Sequence, residues 1–180
     1  MLWDTCSGAV GAVQCTGVGD RCLHAAAGGV GSFAVQLARA AGVTVIGTAS
    51  ERNHEYLRSL GVVPVAYGEG LVERVRELSP DGVDAAFDTA GRGALLDLIA
   101  LAGGPDHVAT IADPAAQEYG VTLTSGAEGR AYHALGLAAQ LYEEGRLTVP
   151  VAETFRFGEA ARAHQVSEEG HVRGKLVLVP

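Results

Sequence analysis

LHAAAGGVGSFAVQLA, at residues 23–38, runs from a short apolar segment through a turn of small residues into an amphipathic pattern. A strand, a glycine-rich turn and a helix in that order are what a dinucleotide-binding site needs. Gly28 and Gly31 leave room for the backbone to approach a pyrophosphate and for the helix to pack close to the strand. The free N–H groups of the first helical turn and the positive end of the helix dipole then face the phosphates.

Outside this segment, β-branched runs alternate with amphipathic ones along most of the chain. Such alternation predicts a single α/β domain, a dinucleotide-binding Rossmann fold with a doubly wound parallel sheet. Residues 1–19 lack clean periodicity and form a poorly defined N-terminal segment. The predicted helices span 31–41, 53–60, 71–78, 94–101, 127–144 and 158–168. The predicted strands span 21–24, 43–48, 62–66, 83–88, 107–111, 121–124 and 175–179.

The overall composition describes an acidic, globular protein. The 180 residues carry a formal net charge of −8 and are 48% hydrophobic, without a cluster of Lys and Arg. This balance argues against non-specific binding to nucleic acid or to an anionic membrane surface. The longest apolar runs fall short of a membrane span and no secretory signal is visible, so we expect a cytoplasmic protein.

Cysteine and histidine do not indicate a metal site. The three cysteines, Cys6, Cys15 and Cys22, are an odd number near the N-terminus, which is typical of plain thiols in a reducing compartment. The six histidines show neither HxxxH nor HExxH spacing. We therefore expect no metal ion.

The end of the second predicted strand, TAS at 48–50, indicates which nucleotide the site prefers. An NAD site needs an Asp or Glu here to accept hydrogen bonds from the ribose hydroxyls. This strand ends without an acid before Glu51, and it offers the donors Ser50, Arg52 and Asn53 instead. Because the planar fork of Arg matches phosphate oxygens, we interpret the site as one for the 2′-phosphate of NADP(H). The alternative is that Arg52 and Asn53 only cap and solvate the next helix.

Two further turns should meet the glycine turn, 27–31, at the carboxyl edge of the sheet. Thr89 and Ala90 follow the fourth predicted strand, and their small side chains would let a nicotinamide ring approach. Asp88 is either a functional carboxylate or a cap of the following turn, and we favour the cap. Ile111 and Ala112 follow the fifth predicted strand.

Several segments match one protein family in its own order, among them AAAGGVG at 25–31, VIGTAS at 45–50 and GKLVL at 174–178. From Gly19 onward the chain resembles the medium-chain dehydrogenase/reductase superfamily, in particular its zinc-free NADPH:quinone oxidoreductase-like branch. The resemblance implies an NADPH-binding fold in which Tyr67 lies near the adenosine half of the cofactor. It also implies that Gly28, Gly29, Val30 and Gly31 hold the pyrophosphate, and that Ser50, Arg52 and Asn53 lie at the 2′-phosphate. Ala27, the first residue of the turn, is a further expected cofactor contact.

The sequence departs from this family in one respect. Family members carry a catalytic domain, which supplies most of the substrate pocket, before the cofactor domain, whereas this chain starts almost at the cofactor domain. In the family the helix and strand that correspond to 153–180 return to the sheet of that catalytic domain. Here residues 1–19 or a second copy of the chain must cover the final strand, KLVLV, or leave an exposed edge. We therefore expect a homo-oligomer or a partner chain.

No catalytic motif stands out, so the sequence identifies no catalytic residue. Hydride transfer needs little from the protein beyond placing the nicotinamide against the substrate, because the cofactor carries the reaction. The first hypothesis is an NADPH-dependent oxidoreductase acting on a small enone, quinone or other carbonyl compound. The alternatives are a non-redox enzyme that reuses the cleft for a cyclisation or isomerisation, and a binding or scaffold protein without chemistry.

Overall fold

The computed structural model describes residues 19–124 and 132–180. Within them a six-stranded parallel sheet is covered by helices on both faces, and two later strands form a second sheet. The strands are β1 (Asp20–His24), β2 (Thr44–Ala49), β3 (Val63–Ala66), β4 (Ala85–Asp88), β5 (Val108–Thr110), β6 (Thr122–Leu123), β7 (Val151–Arg156) and β8 (Lys175–Val179). The helices are α1 (Gly31–Ala40), α2 (His54–Ser59), α3 (Leu71–Leu78), α4 (Leu95–Ala102), α5 (Tyr132–Glu143) and α6 (Ala160–Glu169).

The strand order β3-β2-β1-β4-β5-β6 confirms the predicted doubly wound sheet. All neighbouring strands of this sheet pair in parallel. Strand β1 therefore lies in the middle, and the chain builds outward from it first on the β2 side and then on the β4 side. In α/β sheets a ligand-binding crevice opens at such a reversal, beyond the carboxyl ends of the strands.

The central strands are almost continuously apolar because each of their faces packs against a helix layer. On one face Ile46 of β2 packs in a cluster with Leu98 of α4. On the other face Val45 of the same strand packs with Val35 of α1 and Leu57 of α2. This double cover buries both faces of the sheet, so its carboxyl edge is the place where the connecting loops meet.

Helix α1 also anchors the C-terminal part of the chain. Phe33 and Leu37 pack against Leu141 of α5. The buried Gln36 donates from Nε2 to the Thr148 carbonyl oxygen at 2.9 Å and accepts from the Thr148 N–H at 2.7 Å. The segment that leads into β7 is thereby tied to the helix that begins at the glycine turn.

The second sheet gives β8 a partner from the described part of the chain. Strand β8 pairs in parallel with β7, a strand that the sequence analysis does not predict, and the expected cover by residues 1–19 or by another chain stays a prediction. Phe155 of β7 is buried, and α6 packs on both strands. Val151 and Leu178 of this sheet remain exposed, as does Phe157 beside it.

The predicted bounds otherwise lie within two residues of the observed ones wherever the structure describes both. The predicted N-terminal segment with Cys6 and Cys15, apart from Gly19, lies outside the described residues, as does the predicted start of the longest helix at 127. Within the described ranges, no helix combines the length and the apolar character that crossing a bilayer requires.

Candidate functional site

The turn between β1 and α1 is built from backbone atoms in close contact. Ala25 adopts a positive φ of 61°, and the N–H of Gly28 donates to the Ala25 carbonyl oxygen at 3.1 Å. A Cβ at position 31 would collide with that carbonyl oxygen and would lie 2.8 Å from the Cα of Ala26. Gly31 is therefore required, because a side chain here would push the helix away from the strand.

The first turn of α1 keeps backbone donors available for an anion. No side chain caps this helix, and its first turn contains no acidic residue. Across the described residues, the N–H groups of Gly29 and Gly31 donate to no protein acceptor. Together with the positive end of the helix dipole, these donors fit a phosphate group. The turn therefore meets both the steric and the electrostatic demands of a pyrophosphate.

A cavity of about 400 Å³ opens beside this turn, at the carboxyl ends of β1 to β4. Its wall comes from the glycine turn, the ends of β2 and β3, the loop between β4 and α4, and the segment around position 171. A volume of this size is within the range of small-molecule and cofactor sites. Of the predicted site residues, the cavity brings together Ala27, Gly28, Ser50, Arg52, Asn53, Tyr67 and Ala90.

Polar donors surround the end of β2. Asn53 Nδ2 donates to Ser50 Oγ at 3.2 Å, and the Asn53 side chain does not cap α2. The Arg52 guanidinium makes one long hydrogen bond, 3.4 Å from Nη2 to the His171 carbonyl oxygen, and pairs with no carboxylate of the described residues. Glu51 is exposed and does not line the cavity. Arg52 therefore presents a positive charge at the cavity wall that forms no ion pair within the described ranges.

His24, at the end of β1, lines the cavity although it was not among the predicted site residues. Its side chain is 7% exposed, and Nδ1 lies 2.9 Å from Oγ1 of Thr48. Oγ1 of Thr48 also accepts from the N–H of Ala25 at 3.1 Å. Burial lowers the pKa of His24 because the imidazolium would lose its hydration, and the nearby Asp88 and Asp97 carboxylates oppose this only in part. His24 is therefore neutral at physiological pH.

The rest of the wall carries aromatic and charged side chains. The Tyr67 ring is edge-on to the His24 ring, with 6.4 Å between the centroids. Asp97 lies in the first turn of α4, and Arg92 lies in the loop before that helix, with Nη2 3.1 Å from the position that a Cβ of Gly170 would take. Sequence analysis missed Arg92 and Asp97 because only the folded sheet brings this loop beside the ends of β2 and β3.

The chain returns to the glycine turn just before β8. The Gly174 carbonyl oxygen and the Lys175 ammonium would each lie 2.7 Å from a Cβ at Gly29. The Arg173 guanidinium lies 5.1 Å from the centroid of the Tyr56 ring. Lys175 thus brings a positive charge to the turn, although the sequence analysis interpreted it only as the start of a strand. The polar Gly-Lys pair that opens an otherwise apolar strand was the signal that could have revealed it.

A family profile matches this fold over most of its length. The profile described as zinc-binding dehydrogenase covers residues 60–178. The chain belongs to the zinc-binding dehydrogenase family. The resemblance to the medium-chain dehydrogenase/reductase superfamily found in the sequence is thereby confirmed.

Curated relatives of this zinc-binding dehydrogenase family member include a reductase and a vesicle protein. The 2-haloacrylate reductase of Burkholderia sp is 33% identical over 181 residues, which cover 88% of this chain and 54% of the relative. The synaptic vesicle membrane protein VAT-1 homolog of Danio rerio is 29% identical over 192 residues, which cover 87% of this chain and 40% of the relative. The chain therefore spans about half the length of these relatives.

Solved structures of similar proteins share the whole fold of this family member. The quinone oxidoreductase of Coxiella burnetii superposes with a TM-score of 0.77 and 28% identity, covering 100% of this chain and 59% of that one. A mycobacterial protein solved in complex with NADPH superposes with a TM-score of 0.80 and 26% identity, covering 100% of this chain and 62% of that one. These superpositions confirm the Rossmann architecture of the domain.

Six predicted site residues lie outside the cavity. The Val30 side chain packs against the cluster around Phe33, and the Thr89 hydroxyl donates to the His24 carbonyl oxygen at 2.9 Å. Ile111 packs against the core beside α1. They flank the cavity at the glycine turn and at the ends of β4 and β5, and they are Gly29, Val30, Gly31, Thr89, Ile111 and Ala112.

Asp88 is the cap that the sequence analysis favoured. Its Oδ1 accepts from the N–H of Ala90 at 2.9 Å, and the N–H of Gly91 donates to Oδ2 at 3.1 Å. The Thr110 hydroxyl donates to Oδ2 at 2.6 Å. With the carboxylate fully buried and its oxygens occupied, Asp88 serves the structure. Among the residues that the structure describes, no group of three or more His, Cys, Asp and Glu side chains is placed to hold a metal ion.

Proposed function

We propose that this domain binds NADP(H) and forms the cofactor-binding part of a zinc-independent, cytoplasmic oxidoreductase that reduces a small carbonyl, enone or quinone compound. The observation that carries the proposal is the cavity in which the glycine turn meets Ser50, Arg52 and Asn53 with no acid at the end of β2. An acid at that place would repel a 2′-phosphate, whereas a guanidinium attracts it. The mycobacterial neighbour that was solved with NADPH supports the same choice.

Each part of the nucleotide has a group of residues suited to it. The N–H groups of Gly29 and Gly31 and the Lys175 ammonium suit the diphosphate, because they combine backbone donors with positive charge at a helix N-terminus. Arg52 suits the 2′-phosphate, and Tyr67 provides an aromatic wall for the adenosine half. The nicotinamide half would then lie along the ends of β4 and β5, beside Thr89, Ala90, Ile111 and Ala112.

The protein's own contribution to the reaction is orientation. Bound NADPH supplies the hydride, so the chain needs to hold the ring and exclude water rather than to supply a nucleophile. The described ends of β4 and β5 suit this task. The Asp88 carboxylate already accepts hydrogen bonds from the protein, and the neighbouring side chains are mostly small, so they leave room for the ring. The similarity to a 2-haloacrylate reductase and to a quinone oxidoreductase supports an activated alkene or a quinone as substrate.

We also propose that a second copy of the chain or a partner covers the second sheet. The exposed apolar side chains of Val151, Phe157 and Leu178 support this, because apolar side chains left in water favour association. Size-exclusion chromatography with light scattering separates the two: a mass above that of one chain is expected if a second copy covers the sheet, whereas a monomer at micromolar concentration contradicts self-association and leaves a different partner chain as the cover.

Removing the Arg52 charge tests the cofactor assignment. Arg52→Ala should weaken NADPH binding about tenfold, because a charge-assisted hydrogen bond to phosphate is lost, and should change NADH binding less than about twofold. The affinities are measured by nucleotide fluorescence and checked by the rise in melting temperature at saturating nucleotide.

Arg58→Ala, at an exposed position of α2, is the matched control and should leave both affinities unchanged. Equal loss of NADPH and NADH in Arg52→Ala would overturn the 2′-phosphate assignment. An unaltered chain that binds neither nucleotide would overturn the proposed function and favour a scaffold or a non-redox use of the cleft.

A further inference from the structure

Among the polar side chains of the cavity, His24 and Asp97 have no role in binding the diphosphate or the 2′-phosphate. His24 comes from the end of β1 and Asp97 from the first turn of α4. Among the described residues, Asp97 accepts no hydrogen bond, and its carboxylate is close enough to His24 to act on the imidazole electrostatically. The cavity therefore presents the Asp97 carboxylate as an acceptor together with the His24 imidazole, and neither group has an assigned ligand.

The hydrogen bonds of Thr48 define which imidazole nitrogen of His24 carries the proton. A hydroxyl has one hydrogen, and Oγ1 of Thr48 already accepts from the N–H of Ala25. The hydrogen of this buried hydroxyl needs an acceptor, and Nδ1 of His24 is the acceptor that the described residues place within reach, so we assign Nδ1 as the acceptor and Nε2 as the protonated nitrogen. Nε2 bonds to none of the described residues and is not sealed from solvent. A single N–H donor therefore opens on the cavity.

We propose that His24 and Asp97 read the purine base of the nucleotide, with His24 donating to a ring nitrogen and Asp97 accepting from the 6-amino group. This inference rests on the proposed function, since it deepens the recognition of NADP(H) at the same site. Adenine presents an amino donor next to a ring-nitrogen acceptor, and that order complements one protein acceptor beside one protein donor. Tyr67, edge-on to His24, lies where the face of a base can pack.

A 6-oxo purine is the wrong partner for this pair. On the edge that carries N7, a 6-oxo base presents two acceptors, so the Asp97 carboxylate would face a carbonyl oxygen instead of an amino group. His24 is buried and Asp97 is half-buried, so a base that cannot pair with both loses hydrogen bonds that water replaces only in part. Asp88 cannot take over from Asp97, since its oxygens are occupied by Ala90, Gly91 and Thr110.

The test compares NADPH with its deamino analogue, nicotinamide hypoxanthine dinucleotide phosphate, in which a 6-oxo group replaces the amino group. The unaltered chain should bind NADPH about tenfold or more tightly than the analogue. Asp97→Asn has nearly the same shape, but its amide can also donate to the 6-oxo group, so this preference should fall to less than about threefold. Asp81→Asn, in an exposed loop, is the matched control and should keep the preference.

Two further measurements separate base recognition from a structural defect. The NADPH-to-NADH ratio should stay unchanged in Asp97→Asn, because the 2′-phosphate contacts are intact. His24→Phe keeps the aromatic volume but removes the donor, so it should weaken NADPH about tenfold with the NADPH-to-NADH ratio retained. An Asp97→Asn chain that still binds NADPH and still rejects the analogue as before would overturn the inference and leave the proposed function standing. Failure of the unaltered chain to bind NADPH would overturn both.

Discussion

The strand order of the large sheet reverses at β1, and the strand ends on the two sides of β1 are built differently. On the β2 and β3 side the strand ends open on a cavity whose wall includes Arg52, His24 and Tyr67. On the β4 and β5 side the strand ends are tied together through Asp88 and Thr110. The first side can recognise a ligand by charge and hydrogen bonds, whereas the strand ends of the second side form a fixed scaffold. Asp97 and Arg92, which follow β4 in the chain, complete the cavity wall. Support therefore comes from the β4 and β5 strand ends themselves, and selectivity comes from the side chains that line the cavity.

The largest effect is expected on the scaffold side. Asp88→Ala leaves the N–H groups of Ala90 and Gly91 and the hydroxyl of Thr110 without their acceptor in a buried place. We expect a loss of about 3 kcal/mol in the free energy of unfolding, measured by urea denaturation. Asp81→Ala, in an exposed loop, is the control and should change it by less than about 0.5 kcal/mol. A loss below about 1 kcal/mol in Asp88→Ala would show that something other than this carboxylate holds the β4 and β5 ends.

A smaller effect is expected where the two sides meet, at the glycine turn. In Gly31→Ala the new Cβ must push against the Ala25 carbonyl oxygen and the Cα of Ala26, which are backbone atoms that cannot rotate away. We expect a loss of about 2 kcal/mol in the free energy of unfolding and a parallel loss of NADPH and NADH affinity, because the diphosphate is common to both.

Gly136→Ala in α5 is the matched control for this substitution. A Cβ at Gly136 meets open space, so replacing this helical glycine should stabilise the chain by about 0.5 to 1 kcal/mol and leave nucleotide affinity unchanged. Chemical denaturation and fluorescence titration of both variants check the pair. A Gly31→Ala chain that keeps full stability and affinity would contradict the close packing of strand and helix.

Part of the crevice was predictable from residues that are close together in the sequence. The order of strand, glycine turn and helix around Gly31 follows from short-range rules, and so does the cap formed by Asp88 at the end of a strand. Arg52 was identifiable because the acid expected at the end of β2 is missing there. In each case the decisive residues lie within a few positions of the element that they serve.

The rest depended on contacts between distant segments. Asp97 and Arg92 join the cavity only because the reversal at β1 brings the β4–α4 loop beside β2. Strand β7 escaped prediction because Val151–Arg156 lacks clean alternation, its parallel partner is β8, and its register shifts between Val151 and Glu153. Lys175 was seen as a strand residue, since its ammonium reaches Gly29 only through that pairing and the turn at Gly174.

The smallest expected effect concerns pH and the cavity side. Burial lowers the pKa of His24 below the unfolded value of 6.5, although the facing carboxylates of Asp88 and Asp97 raise it in part, and the Tyr67 phenol also faces the ring. The unfolded chain therefore binds a proton first as the pH falls through 6.5, so the stability linked to neutral His24 is complete above that pH and declines below it. His24→Phe should flatten the fall in melting temperature between pH 7 and 5, whereas His164→Gln, at an exposed position of α6, should leave it unchanged. An unchanged slope in His24→Phe would show that protonation of His24 costs the folded chain nothing, which would contradict the lowered pKa of this imidazole.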